Sequence, residues 1–220
     1  MSTDFIKNRL KKTDGVIFDL DGTLWDSSAQ IAQAWNELLK TRPHVIRDEI
    51  TQEELYANMG LPMYEIAANL FPDLEPSSRN ALMDEMGVFE NEYLLRTGGN
   101  LFPAVKEVVN EVSSRYPVFV VSNCQSGYIE AFISAHGFDG IFKDHICWGD
   151  TGNCKGDNIS LISERNGLKA PIYIGDTDSD SKACKKSGVP FVFAAYGFGN
   201  TREYDEKIDH PSDILSLLSL

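Results

Sequence analysis

Three short stretches of this 220-residue chain put oxygen-rich side chains where an apolar run stops, and a fourth places a cation just before a predicted helix. In VIFDLDGT, Asp19 and Asp21 follow residues 16–18. Ser122 and Asn123 follow VFVV, Lys155 lies in GNCKGDN, and GDTDSD (residues 175–180) follows IYI with Asp176 and Asp180. Gathered in one crevice, the four aspartates repel one another unless a cation neutralises them. An all-oxygen donor set without histidine favours Mg²⁺, which prefers few carboxylates and a phosphate to complete its shell. Ser122 and Lys155 then suit the remaining phosphoryl oxygens. One carboxylate aimed at phosphorus is a nucleophile, and a second, two residues on, is placed to protonate the leaving oxygen.

The elements that position these residues follow from apolar patterning. Residues 16–18, 118–121, 172–174 and 190–195 are short, nearly continuous apolar runs, and 145–148 is a weaker one. Such runs mark strands covered on both faces, as in a parallel sheet. Helical spacing appears in Val105, Val108, Val109 and Val112, and in Ile129, Phe132 and Ile133. Residues 157–166, 178–187 and 212–220 are also predicted helices, with Lys182, Lys185 and Lys186 facing water. Strand–helix alternation from residue 101 onward predicts an α/β fold, a doubly wound parallel sheet whose strand ends collect the ligand.

Residues 26–96 interrupt that alternation. Ser27 with Gln30 and Thr51 with Glu54 have capping-box spacing, and Pro62 and Pro76 stand where helices restart. Four helices are predicted here. The expected organisation is an α/β catalytic core of residues 1–25 and 97–220 with a helical cap of residues 26–96. The joints fall near residues 24–26 and 97–100, where Gly98 and Gly99 suggest a hinge.

The net charge of −13 argues against a nucleic-acid or anionic-membrane partner. No stretch approaches the ~18 apolar residues of a membrane span. MSTDFIKNRLKK lacks the apolar core of a secretory signal, so the expectation is a cytoplasmic protein. Cys124, Cys147, Cys154 and Cys184 form no C-x-x-C pair and are expected to be reduced structural thiols. Oligomeric state stays open; a monomer is compatible with all of this.

DLDGT, Ser122 after VFVV, Lys155 and GDTDSD resemble, in order and spacing, the four motifs of the haloacid dehalogenase-like (HAD) superfamily. The helical insert resembles that superfamily's C1 cap, and GLP (60–62), FP (102–103) and SNCQSGY (122–128) are similar to its phosphoglycolate phosphatase-like branch. The resemblance implies a Mg²⁺-dependent hydrolase of small phosphorylated metabolites. Asp19 would be the nucleophile and form an aspartyl-phosphate; Asp21 would be general acid, then general base. Asp19, the backbone carbonyl of Asp21, and Asp176 would hold the metal, with Asp180 supporting it or orienting Lys155. Ser122, Asn123 and Lys155 would bind the phosphoryl group, and Thr23, at the same substrate end, would orient Asp21. True dehalogenases lack the second aspartate, so Asp21 favours phosphoryl transfer.

Two look-alikes fail. GDTGNCKG has Cys154 and Gly156 where a P-loop needs Gly and Ser/Thr, and GFGNTR lacks the third glycine of a dinucleotide fingerprint. The latter reads as a loop beside the crevice. Asp178 reads as a helix-cap or solvent residue. The histidines are scattered, with no nucleophile elbow. Residues 48–78 hold seven acids and no Lys, Arg or His, although Arg42, Arg47 and Arg79 flank them. A phosphomutase of a sugar bisphosphate wants a second cationic grip, so a phosphatase is favoured over that alternative. A non-catalytic phosphate-binding or signalling module is the rival of a different class.

Overall fold

The computed structural model describes residues 12–220; the opening MSTDFIKNRLK, read above for a leader, lies outside them. Six strands form one parallel sheet: β1 (Gly15–Phe18), β4 (Val118–Ser122), β5 (Phe142–Cys147), β6 (Pro171–Gly175), β7 (Phe191–Ala194) and β8 (Glu206–Ile208). Their order is β5-β4-β1-β6-β7-β8. Every pair is parallel, with Val16 beside Val118 and Ile172 and Phe18 beside Val120 and Ile174. Val16, Ile17 and Phe18 are wholly buried, as are Val120, Val121 and Ile174, so the near-continuous apolar runs reflect cover on both faces. β1 has β4 on one side and β6 on the other, so the chain's winding reverses beside it, where α/β sheets hold ligands.

Helices α5 (Val105–Ser113), α6 (Tyr128–His136), α7 (Trp148–Thr151), α8 (Lys155–Arg165), α9 (Asp178–Ser187) and α10 (Asp213–Leu218) alternate with these strands. The insert contains the four expected helices, α1 (Ser28–Leu39), α2 (Gln52–Tyr56), α3 (Met63–Leu70) and α4 (Pro76–Thr97). Thr51 closes a full capping box with Glu54. Pro62 is the N-cap of α3, and Pro76 opens α4. Among the described residues no helix is long and apolar enough to cross a membrane.

Several expectations change. Ser27 is the N-cap residue of α1, but its side chain makes no capping bond; the hydroxyl instead donates to Asp21 at 2.9 Å. At the joint where a hinge was expected the two connecting segments pair as a ribbon, in which β2 (Trp25–Asp26) runs antiparallel to β3 (Asn100–Leu101). Gly98 takes φ +65° there, and a Cβ on Gly99 would lie 2.8 Å from the Trp25 ring. β5 begins three residues before the predicted 145–148 segment, and Trp148 starts α7. α8 starts at Lys155, two residues early. β8 went unpredicted because EKI exposes two of its three residues more than Ile208 and shows no apolar run.

Candidate active site

Asp19 sits one residue past β1, with its backbone N–H donating to Ile174 of β6 at 2.8 Å. Its Oδ1 accepts from Lys155 Nζ at 2.9 Å, and the same ammonium donates to Asp180 Oδ1 at 2.7 Å. All three side chains are buried. Lys155 reaches them from the first turn of α8. Burial alone would lower its pKa, but Asp180 and Asp19 hold it well above the ordinary lysine value. The ammonium therefore stays charged.

Asp180 belongs to the first turn of α9, where Thr177 caps the helix and Asp180 Oδ2 accepts from Thr177 N–H at 2.9 Å and from its hydroxyl at 2.6 Å. Burial opposes ionisation of Asp180, but Lys155 and Thr177 outweigh it, so its pKa lies below the usual value. Asp19 goes the other way: burial and the charges of Asp180 and Asp176 push it well up, against the pull of Lys155.

Asp176 follows β6 and is fully buried. Its Oδ2 accepts from the N–H groups of Phe198 (2.8 Å) and Gly199 (3.1 Å). The GFGNTR segment is thus the loop beside the crevice. A Cβ on Gly197 would lie 2.2 Å from the Gly22 carbonyl, and one on Gly22, at φ +80°, the same distance from Asp176 Oδ2, so both loops need glycine to close around this carboxylate. Asp176 Oδ1 is buried without a hydrogen-bond partner. Burial, then the neighbouring Asp180, raise its pKa to about 7. One oxygen from each of Asp19, Asp176 and Asp180 lies within 4.8 Å of the others. A buried, bare carboxylate oxygen among three acids is what a hard cation satisfies, so the donor set fits Mg²⁺.

Asp21 is held differently. Its Oδ1 accepts from Trp25 Nε1 (2.9 Å), the Ser27 hydroxyl (2.9 Å) and the Tyr128 hydroxyl (2.7 Å). Burial raises its pKa, and the three donors moderate the rise. With Oδ1 saturated, a proton on Asp21 resides on Oδ2. Thr23 does not do this orienting. It is fully buried and its hydroxyl has no partner, while Trp25, Ser27 and Tyr128 hold Asp21 through Oδ1. Its backbone carbonyl accepts from the Tyr196 hydroxyl at 2.9 Å.

Ser122 ends β4 and Asn123 follows it; both are buried and line the crevice with Asp19, Asp21 and Lys155. Asn123 Nδ2 donates to the Gly60 carbonyl of the insert at 2.8 Å, so this corner of the crevice touches the insert. Asp178 is solvent-facing and pairs with Lys182 at 2.7 Å, as expected of a residue outside the site. Gln125 and Asn91 make further bridges: Gln125 Nε2 donates to Glu90 Oε1 (3.1 Å) and Asn91 Nδ2 to the Ser126 carbonyl (2.8 Å).

The crevice continues into the insert between Ile31, Trp35, Leu55, Met59, Met63 and Ile66. One acid, Glu90 of α4, lies among them, 2% exposed. Its Oε2 accepts from Trp35 Nε1 at 2.6 Å. Burial raises its pKa to about 8, with the charge of Asp21 adding to the rise. Among the described residues no Lys, Arg or His besides Lys155 lines this cavity; Arg42 pairs with Glu85 and Arg47 with Glu54 instead. Tyr128 and Glu90 escape sequence reading: nothing in the helix that carries either one marks its position, and only the fold brings it to the site. Trp25 and Ser27 sit within six residues of Asp21, and that proximity was the available signal.

The haloacid dehalogenase-like hydrolase family model matches residues 16–194. The chain belongs to the haloacid dehalogenase-like hydrolase family. Within it, the relatives place the chain in the phosphoglycolate phosphatase-like branch, among phosphatase-type hydrolases. It is 28% identical over 214 residues to a protein named phosphoglycolate phosphatase from Aquifex aeolicus (strain VF5), covering 92% of this chain and 95% of that one. The protein of that name from Escherichia coli (strain K12) is 26% identical over 225 residues, covering 92% and 87%. Among solved structures, a predicted phosphoglycolate phosphatase from Haemophilus somnus superposes with a TM-score of 0.81 at 22% identity, covering 94% of this chain and 98% of that one. A haloacid dehalogenase-like family hydrolase from Streptococcus pneumoniae gives 0.77 at 20% identity, covering 93% and 97%. The α/β core with its inserted four-helix cap is thus the fold of this family's capped members.

Proposed function

We propose that this protein is a Mg²⁺-dependent phosphatase of small phosphate monoesters, acting through an aspartyl-phosphate on Asp19. The observation that carries this reading is the buried set of Asp19, Lys155, Asp180 and Asp176, in which one Asp176 oxygen is left bare. Mg²⁺ would be held by Asp19, the Asp21 backbone carbonyl and Asp176, with Asp180 behind them. When bound, it offsets the charge of the carboxylates and of the transferring phosphoryl group.

Asp19 Oδ1 is engaged by Lys155, so Oδ2 is the attacking oxygen. As it bonds to phosphorus, the ester P–O bond breaks and Asp21 Oδ2 gives its proton to the departing alkoxide. Asp21, now ionised, is stabilised by Trp25, Ser27 and Tyr128. It then takes a proton from the water that attacks the aspartyl-phosphate, restoring Asp19 and releasing phosphate. Ser122, Asn123 and Lys155 hold the non-bridging phosphoryl oxygens. The insert closes over the leaving group and keeps bulk water out. Division into a core of residues up to 25 and from 97, and a cap of 26–96, belongs to the same proposal.

A sugar-bisphosphate mutase fits less well, since among the described residues the cavity offers no second cation for a second phosphate. The test is phosphate release from a monoester panel with Mg²⁺, with Asp19→Asn and chelator as controls. Release that both controls abolish is expected; no release from any ester sinks the proposal.

A further inference from the structure

The cap end of the cavity is chemically unusual in one respect. Glu90 is buried at the edge of a ligand space, and both its oxygens are met only by neutral donors, Trp35 Nε1 and Gln125 Nε2. A buried acid without a cation carries a large desolvation penalty, and such groups ordinarily have a counter-charge. None is available among the described residues: the one cation lining the cavity, Lys155, is committed to Asp19 and Asp180. The other ionisable groups facing this space are Asp19, Asp21, Cys124, Tyr128 and Lys155, and none of them offers Glu90 a free cation. Trp35 and Tyr128 line the same cavity, and aromatic faces attract cations electrostatically. The rest of the cap-side wall is mostly aliphatic or thioether. A carboxylate or a second phosphate would enter this space with no cationic partner.

We propose that the leaving group this site accepts is a small amino alcohol, its ammonium seated against Glu90 and the rings of Trp35 and Tyr128, a proposal that rests on the phosphatase reading above. The substrate is then an aminoalkyl phosphate monoester. Its ester P–O bond breaks, Asp21 supplies the proton to the alkoxide, and water supplies the hydroxyl that ends on phosphate. The ammonium keeps its proton throughout; as it seats, Glu90, protonated while alone in its apolar wall, gives its own proton to solvent and becomes the counter-charge. Glu90 here is a specificity residue that touches the substrate remote from the reacting bond.

The experiment compares three esters of similar size on the purified protein with Mg²⁺: 2-aminoethyl phosphate, n-propyl phosphate, in which a methyl replaces the ammonium, and 2-phosphoglycolate, which carries a carboxylate. The expected kcat/KM for the amino ester exceeds that of the propyl ester at least about tenfold and that of phosphoglycolate about a hundredfold. In Glu90→Gln, the preference for amino over propyl ester falls to about threefold or less. Inhibition of the wild-type protein by free ethanolamine, against n-propanol and glycolate, gives the same ranking should that variant fail to fold. Equal rates for the first two esters, a preference for phosphoglycolate, or a Glu90→Gln variant that slows both esters by one factor overturns the proposal. p-Nitrophenyl phosphate separates the two readings. Its Mg²⁺-dependent hydrolysis without any preference for the amino ester defeats the amino-alcohol assignment alone. Silence toward every ester defeats the phosphatase reading and this one with it.

Discussion

The two ends of the active-site crevice solve opposite problems. At the sheet end, Asp19, Asp176, Asp180 and Lys155 are buried together, each delivered by a different strand end or helix start. Their charges hold one another: Lys155 bridges two carboxylates, Thr177 holds one of those, and backbone N–H groups hold Asp176. At the cap end, Ile31, Leu55, Met59 and their neighbours make an apolar wall that contains one acid. Charge networks fail as units, because removing one partner strands the others in a low dielectric. Apolar walls accept changes of shape at the cost of contact area. On the proposed function, the chemistry is therefore built where little can vary, and selection among leaving groups where much can.

That contrast is broken most directly at Asp19. Asp19→Asn keeps the volume and removes the proposed nucleophile, so kcat should fall on the order of 10⁴-fold or more, read by phosphate release. Asp21→Asn should cost about 10²- to 10⁴-fold, with esters of good leaving groups such as p-nitrophenol losing least. A uniform loss across leaving groups would remove Asp21 from the proton-donor role.

Lys155→Met tests the network as a stability element. It leaves Asp19 and Asp180 buried without their cation, a loss of about 3–5 kcal/mol, read by urea unfolding. Mg²⁺ should restore part of it by binding only the folded chain. A change under about 1 kcal/mol would show that Lys155 is not the clamp its geometry describes.

Glu90 gives the cap end its own signature. Its folded-state pKa of about 8 lies above the ordinary value of 4.5. Between those values the folded chain binds more protons than the unfolded chain. Stability from this group is fully present below about pH 4.5 and is lost as pH rises through about 8, with a slope of at most about 1.4 kcal/mol per pH unit. Trp35 and Gln125 bond Glu90, and Asp21 and Tyr128 are the charged or ionisable groups beside it. Glu90→Gln should flatten that slope in unfolding measured from pH 5 to 8; an unchanged slope would place the proton elsewhere. The smallest effect is expected from Thr51→Ala, which opens the α2 capping box and should cost about 1 kcal/mol without altering turnover.

The same asymmetry governs what the bare sequence discloses. Asp19, Ser122 and Asp176 are conspicuous because each ends an apolar strand, and a polar side chain directly after such a run stands at the carboxyl edge of the sheet, where ligands gather. Lys155 is legible only in company with them. The partners of Asp21 are another matter. Ser27 has capping-box spacing with Gln30, yet its hydroxyl turns to donate to the Asp21 carboxylate and accepts from no helix N–H. Thr23, the residue expected to steady Asp21, lies buried with an idle hydroxyl. Tyr128 is 107 positions from the oxygen it binds, and nothing local to it announces that bond. Glu90 reads as one acid among many on a mixed helix. β8 is concealed for the reverse reason: an edge strand half in water carries no apolar run to betray it.

The β2–β3 ribbon has one further consequence. It hydrogen-bonds the strand that leaves the core beside the strand that returns, with Trp25 opposite Leu101 and Asp26 opposite Asn100. Antiparallel neighbours stand about 5 Å apart, so to the core the whole cap amounts to a bridge one residue pair wide. A longer, shorter or differently folded segment could be grafted onto those two ends with almost no added loop-closure entropy. The ribbon is in effect a socket, and the cap an exchangeable fitting.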